Sequence, residues 1–262
     1  MLALVTNDDG IGSPGLGVLA RVAHAAGYDV VVAAPAEESS GASAALHGAE
    51  VDGRLVVEPR DLPGVPDGVR VLAVAADPAL IAFSAAYGAF GDRPDVVLSG
   101  VNRGPNVGNA ILHSGTVGAA LSATALGIRS VAVSLDAAEP RHWETAELVA
   151  AHALAWFQGV DAGQRTLNIN VPDVPAGELR GLRQAPLASF GAVHARIAPA
   201  DEGSSTGSGD HDRDDQSVVL RYEGTERQTE PESDAGLLQA GWATATLLLA
   251  PYADTSLEVP PL

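Results

Sequence analysis

The first two thirds of the chain alternate short apolar runs with amphipathic segments of helical period, and this alternation is the strongest constraint on the fold. It is typical of strand–helix–strand crossover units, which build a parallel sheet covered by helices on both faces. The predicted strands are residues 2–6, 30–34, 69–75, 95–99, 131–135 and 166–171. The predicted helices follow Pro14, Pro78, Ser114 and Arg141. The sequence therefore predicts an α/β fold with a mostly parallel sheet flanked by helices.

The last third of the chain has a different pattern. Residues 182–199 and 217–222 predict isolated strands or hairpin arms without a helix between them, and residues 242–250 predict a terminal strand. The stretch 200–234 is acidic and contains a Gly/Ser-rich segment, so we expect part of it to be mobile. The predicted division is a core over residues 1–172 and a smaller C-terminal β-rich region over residues 173–262.

The composition excludes several classes of protein. The chain of 262 residues has 33 acidic and 15 basic residues, and a formal charge of −18 repels a nucleic-acid duplex or an anionic membrane surface. It has no Cys, so any metal must be bound through oxygen or imidazole. The opening residues lack the basic segment and the long apolar run of a signal or a membrane span, which predicts a cytoplasmic protein.

Two adjacent aspartates come directly after the first predicted strand. The sequence Asn7-Asp8-Asp9-Gly10 stands at the carboxyl end of that strand, where ligand crevices form in open α/β sheets. At a bend both carboxylates can face one crevice, where their repulsion favours a bound cation such as Mg²⁺ or Mn²⁺. The alternative is ordinary turn chemistry, in which Asp bonds the local backbone and Gly supplies a positive φ.

Two further polar loops follow later strands. The loop Glu37-Glu38-Ser39-Ser40-Gly41 offers hydroxyls to a metal or amides to an anion, although such loops are usually solvated. The segment Ser99–Gly108, continued by Ser114-Gly115-Thr116 at a helix start, offers glycines, amide donors and hydroxyls that suit a phosphate group. It matches neither the P-loop nor the dinucleotide fingerprint, so neither ATP nor dinucleotide binding is indicated. A Gly-rich turn with a Ser cap is the structural alternative.

Together these loops resemble the SurE survival-protein family of metal-dependent 5′/3′-nucleotidases. The resemblance rests on Val5–Gly10, Ser40–Ser43, Ser99–Gly108 and Ser114–Val117 in this order, and it extends through residues 131–135 and 167–172. It implies a Rossmann-like core, hydrolysis of nucleoside 5′- or 3′-monophosphates, and one divalent ion, Mg²⁺ or Mn²⁺. The implied metal ligands are Asp8, Asp9, Ser40 and Asn102, and both aspartates are also implied to be catalytic. The implied substrate-binding residues are Asn106, Ser114, Gly115 and Thr116.

Departures from the family pattern leave alternatives open. Where the family has Gly-Thr-Pro-x-Asp-Cys, this chain reads Val74-Ala75-Ala76-Asp77-Pro78-Ala79, so a specialised or modified phosphate is an alternative substrate. The C-terminal part resembles the family loosely; there the family has arms exchanged between subunits, which implies a homodimer or homotetramer.

The residues disfavour one non-enzymatic role and one other class of phosphatase. A non-catalytic nucleotide-binding relative is disfavoured because paired aspartates without a metal only repel each other. A haloacid-dehalogenase-type phosphatase is disfavoured because Gly10 stands two residues after Asp8, where that class needs a carboxylate. His113 either packs or contacts the base, or it protonates the leaving alkoxide.

Overall fold

The computed structural model describes residues 1–189, 194–199, 218–223 and 230–250. The strands are β1 Leu2–Thr6, β2 Asp29–Pro35, β3 Glu50–Val51, β4 Arg54–Leu55, β5 Val57–Pro59, β6 Arg70–Val74, β7 Val96–Arg103, β8 Arg129–Asp136, β9 Arg165–Pro172, β10 Leu182–Gln184, β11 His194–Pro199, β12 Val218–Glu223 and β13 Ala243–Leu249. The α-helices are α1 Pro14–Ala25, α2 Pro78–Ala86, α3 Gly115–Ala125, α4 Trp143–Gln158 and α5 Asp234–Gln239. Short 3-10 helices occupy Gly108–His113 and Ala176–Glu178.

One nine-stranded sheet, in the order β10-β13-β9-β8-β7-β1-β2-β6-β5, forms the centre of the molecule. The six strands from β9 to β6 run parallel, whereas β13 and β5 pair antiparallel with the strands that end this parallel block. The pairs β3–β4 and β11–β12 form separate antiparallel hairpins. This architecture confirms the predicted α/β fold with a mostly parallel sheet flanked by helices.

Helices cover both faces of the sheet. On one face α1 and α4 bury Leu16, Leu19, Leu154 and Phe157 against the strands. On the other face α2 and α3 present mainly alanines, together with the fully buried Ile81, so these helices lie close to the sheet. Because both faces are covered, β1 and β2 are buried on both sides and consist largely of apolar residues, which is why they could be predicted from short apolar runs.

The C-terminal third contributes to the same sheet. The predicted terminal strand is β13, which pairs antiparallel with β9, and β10 lies at its outer side. The helix α5 was not predicted, because it has six residues and follows an acidic stretch. Most of the predicted acidic stretch, 200–217 and 224–229, lies outside the described residues. The division at residue 172, the exchanged arms, the oligomeric state and the cytoplasmic location stay predictions. Among the described helices, none has the length and apolar character needed to cross a membrane.

The strand order reverses at β1. The connection that follows β1 leads to β2 on one side, whereas the connection that follows its other neighbour, β7, leads to β8 on the opposite side. In open α/β sheets, the crevice outside the carboxyl ends of the strands at such a reversal is the usual ligand site. The residues that stand at this point are Asp8 and Asp9, directly after β1, and Asn102 and Arg103, at the end of β7.

Candidate functional site

Asp8 lies buried against the first turn of α3. Its residue is 4% exposed, and its Oδ1 accepts a hydrogen bond from the Thr116 hydroxyl. Burial raises the pKa of the Asp8 carboxyl and the neighbouring Asp9 adds to the rise, whereas the Thr116 hydrogen bond opposes it. The structure thus places two of the implied site residues, Asp8 and Thr116, in direct contact.

Two glycines of α3 permit this close approach. A Cβ on Gly115 would stand 2.8 Å from Asp8 Oδ2, and a Cβ on Gly118 would stand 2.1 Å from the backbone oxygen of Ser43. The Ser43 hydroxyl also donates to the backbone oxygen of Leu112 at 2.7 Å. The start of α3 therefore fits between the aspartate after β1 and the Ser-rich loop after β2, and both glycine positions exclude larger residues.

A chain of polar contacts joins the other implied metal ligands. Arg103 Nε donates to Asp9 Oδ1 at 3.0 Å, and the backbone N–H of Arg103 donates to Asp9 Oδ2 at 3.2 Å. Arg103 Nη2 reaches Glu38 Oε2 at 3.5 Å, and Ser40 Oγ donates to Glu38 Oε1 at 2.7 Å. The tips of β1, β2 and β7 are thus linked through Arg103 and Glu38.

Asp9 is held by this chain in a desolvated position. Its side chain is 4% exposed, and burial raises the pKa of its carboxyl while the Arg103 guanidinium opposes the rise. Asn102, one residue before Arg103, donates through Nδ2 to the backbone oxygen of Gly104 at 2.8 Å. That bond fixes the amide group of Asn102 and sets the direction of its Oδ1.

The turn itself uses Asn7 rather than the aspartates. Asn7 Nδ2 donates to the backbone oxygen of Gly10 at 3.1 Å, and Asn7 is fully buried. The side chains of Asp8 and Asp9 point instead to Thr116 and Arg103, which belong to other elements. Local turn chemistry alone therefore does not account for the two carboxylates.

The remaining implied substrate residues are engaged within the protein. Ser114 is the N-cap of α3, and its Oγ accepts from the Val117 N–H at 3.1 Å. Asn106 is 7% exposed and donates through Nδ2 to Ser134 Oγ at 2.8 Å. His113 is exposed at the end of the 3-10 helix. Of the four implied substrate-binding residues, Gly115 and Thr116 face Asp8, while Ser114 and Asn106 shape the loop.

The loop between β7 and α3 is held by hydrogen bonds to side chains of β9 and of α5. The Asn106 N–H donates to Asn170 Oδ1 at 2.7 Å, and its backbone oxygen accepts from Asn168 and Asn170. The fully buried Asp234 of α5 accepts from the N–H groups of Gly108 at 2.9 Å and Ala188 at 2.8 Å. These supporting residues lack a local sequence signal, because their partners are far away along the chain.

The donor set at this point suits a hard divalent cation. Two carboxylates, a hydroxyl and an amide oxygen are the oxygen ligands that Mg²⁺ and Mn²⁺ take. Within the described ranges, no group of three or more acidic or His side chains is placed to hold a metal ion. Any metal ligand set among the described residues would therefore combine the aspartate pair with neutral ligands, and Gly115 lets the Asp8 side chain lie against the start of α3.

Comparisons with known proteins point to one protein family. A family model described as Survival protein SurE matches residues 3–193. The 5′-nucleotidase SurE of Stenotrophomonas maltophilia is 35% identical over 211 residues, covering 77% of this chain and 75% of that protein. The 5′/3′-nucleotidase SurE of Proteus mirabilis is 38% identical over 182 residues, covering 69% and 66%.

A solved structure extends the similarity to nearly the whole chain. The crystal structure of the SurE protein from Aquifex aeolicus superposes with a TM-score of 0.77 at 25% identity, covering 97% of this chain and 95% of that one. The crevice at the reversal of strand order, the match over residues 3–193 and the identity to two curated relatives lead to one conclusion. This chain belongs to the SurE family.

Proposed function

We propose that this protein is a divalent-metal-dependent phosphomonoesterase that hydrolyses nucleoside 5′- or 3′-monophosphates to nucleoside and phosphate. The observation that carries the proposal is the pair of buried aspartates at the reversal of strand order, one of which contacts the first turn of α3. The curated relatives carry nucleotidase names, which supports the same reaction.

The metal ligands in this proposal are Asp8, Asp9, Ser40 and Asn102, and the ion is Mg²⁺ or Mn²⁺. When bound, such an ion neutralises the aspartates and polarises a phosphoryl oxygen. The chain of contacts through Arg103 and Glu38 supports this set, because it links the loops that carry all four residues. The guanidinium of Arg103 balances the charge of Asp9 in the metal-free protein.

The phosphate group is bound at the start of α3 in this proposal. Unpaired N–H groups and the positive end of the helix dipole favour an anion there. Gly115 lets the phosphate and Asp8 approach the same backbone, and the Thr116 hydroxyl orients the Asp8 carboxylate. Asn106 and Ser114 hold the loop in the shape that the phosphate requires.

Water is the nucleophile in the proposed reaction. Asp8 contacts the first turn of α3, so its carboxylate stands beside the proposed phosphate position, and Asp9 follows it in the chain. Asp8 or Asp9 orients the attacking water and accepts its proton, and that proton then passes to the leaving oxygen, so that the nucleoside leaves as the alcohol. Donors at the start of α3 stabilise the charge that develops on the phosphoryl oxygens, which is worth roughly 3 kcal/mol per donor.

The test is phosphate release from a panel of nucleoside 5′- and 3′-monophosphates with Mg²⁺, with Mn²⁺ and with a chelator. We expect metal-dependent release that falls at least about 100-fold in Asp8→Asn. Asp67→Asn, an exposed aspartate at the amino end of β6, is the matched control and should keep full activity. Nucleotide binding without release from any monoester would refute the proposal and favour a non-catalytic binder. Release confined to other phosphate esters would identify a specialised phosphatase.

A further inference from the structure

A cleft of about 560 Å³ lies beside the candidate metal site. It opens at the carboxyl ends of β2 and β6, and three segments line it: residues 35–39, 47–49 and 74–77. The Ser39 N–H donates to the backbone oxygen of Asp8 at 2.7 Å, and Glu38 is the residue that contacts both Arg103 and Ser40. The cleft and the metal site therefore share one wall, the loop after β2.

The floor and the rim of the cleft differ in chemistry. Val74, Ala75 and Ala76 are apolar and are buried or partly buried, and we call them the floor of the cleft. The rim carries the carboxylates of Glu37, Glu38 and Asp77, and none of the twelve described lining residues is an Arg. His47 Nδ1 lies 3.4 Å from Asp77 Oδ2, and the His47 side chain is largely exposed.

We propose that this cleft binds the leaving group of the substrate and that Glu37 and Asp77 restrict it to uncharged groups with hydrogen-bond donors. The inference rests on the proposed function, since it concerns the part of the ester beyond the reacting phosphate. Carboxylates accept hydrogen bonds from ribose hydroxyls and from amino groups of a base, and an apolar floor suits the flat face of the base. A second phosphate on the leaving group meets three carboxylates and is repelled.

The test compares adenosine 5′-monophosphate with adenosine 3′,5′-bisphosphate. If the cleft holds the leaving group, then whichever phosphate of the bisphosphate occupies the metal site, the other one is carried into the cleft. We expect the wild-type kcat/KM to favour the monophosphate by about tenfold or more, because like charges at close range disfavour the bisphosphate. In Glu37→Gln/Asp77→Asn this preference should narrow at least about fivefold, mainly through a lower KM for the bisphosphate.

The variant and its control are chosen to keep the fold. Asp77 is the N-cap of α2 without a side-chain cap bond, and Asn is an equally good N-cap. Asp67→Asn/Asp92→Asn removes the same charge from exposed positions at the amino-terminal edge of the sheet and should leave the preference unchanged. An equal change in both double variants would overturn the proposal, because it would trace the preference to total charge.

Calorimetric binding of both nucleotides in a chelator separates this inference from the proposed function. If hydrolysis is normal but the preference is the same in wild type and in Glu37→Gln/Asp77→Asn, the cleft assignment is wrong and the proposed function stands. If nothing is hydrolysed but the binding preference narrows in that variant, the cleft assignment stands and the proposed function is wrong. If neither nucleotide is bound or hydrolysed, both are wrong.

Discussion

Replacing Gly115 by Ala should separate metal binding from folding. The added Cβ would stand 2.8 Å from Asp8 Oδ2, which is about 0.6 Å short of the 3.4 Å at which ordinary contact begins. Metal–ligand distances vary by only about 0.2 Å in working sites, so a shift of this size displaces Asp8 as a ligand. Changes of residues that merely orient ligands cost about 10- to 100-fold in metal affinity, and we expect at least that loss for Mn²⁺.

The stability of the variant should change much less than its metal affinity. Overpacking costs about 1–3 kcal/mol, but Ala stabilises a helix by up to about 1 kcal/mol relative to Gly, which offsets part of that cost. The unfolding free energy of a domain of this size is about 5–15 kcal/mol, so the variant remains folded. Any loss of Mn²⁺ binding is therefore local to the site.

Calorimetric titration with Mn²⁺, together with thermal unfolding in a chelator, measures both quantities. The control is Gly12→Ala, in the same loop as the aspartates, because a Cβ on Gly12 meets nothing within 4 Å. A folded Gly115→Ala variant that binds Mn²⁺ as tightly as the wild type would refute the reasoning. So would an equal loss in Gly12→Ala, since that result would trace the effect to the loop rather than to Asp8.

Three further predictions concern single side chains. Arg103→Gln leaves Asp9 without its counter-charge, so the unfolding temperature in chelator should fall by about 2–4 °C, which corresponds to roughly 1 kcal/mol. The difference in unfolding temperature between the metal-free and the Mn²⁺-bound protein should therefore increase, and an unchanged difference would contradict this. Because burial raises the pKa of Asp8 above its ordinary value of 3.8, the metal-free protein loses stability as pH rises through that raised pKa. Asp8→Asn should therefore be more stable by about 1 kcal/mol at neutral pH in chelator, with no difference below pH 3.8, as thermal unfolding would test. Asp234→Asn removes the charge and one of the two acceptor oxygens that bond Gly108 and Ala188, and it should cost about 1.5–3 kcal/mol in urea unfolding; an unchanged midpoint would disprove the anchoring role.

The core elements could be predicted from the sequence because each one buries a distinct pattern. Strand β1 has the predicted bounds, 2–6, and α1 begins at Pro14, where the sequence placed its start. The small strands β3, β4 and β5 were missed because they have two or three residues each and are mostly exposed, so no apolar run marks them. In both cases the burial of side chains, rather than propensity, decides what the sequence reveals.

The candidate site was predicted in part for a different reason. The positions of Asp8, Asp9 and Asn102 follow from the carboxyl ends of strands, which meet at one edge of a parallel sheet. The link through Arg103 and Glu38 could not be predicted, because it depends on side-chain directions across separate loops. The available sequence signal for this link was Arg103, a basic residue directly after the candidate ligand Asn102. The metal ligands and the substrate-binding set themselves stay predictions.

The hydrogen bond from the Gly108 N–H to Asp234 joins residues that are 126 positions apart, and this separation has a consequence during translation. The ribosome makes Asp8 and Asp9 long before Asp234, which secures the β7–α3 loop together with Asn168 and Asn170. We therefore expect a nascent polypeptide to pass through most of its synthesis without turning over nucleotides. A fragment released after residue 229 lacks α5 and β13, and phosphate release by that fragment at the rate of the full-length chain would contradict this expectation.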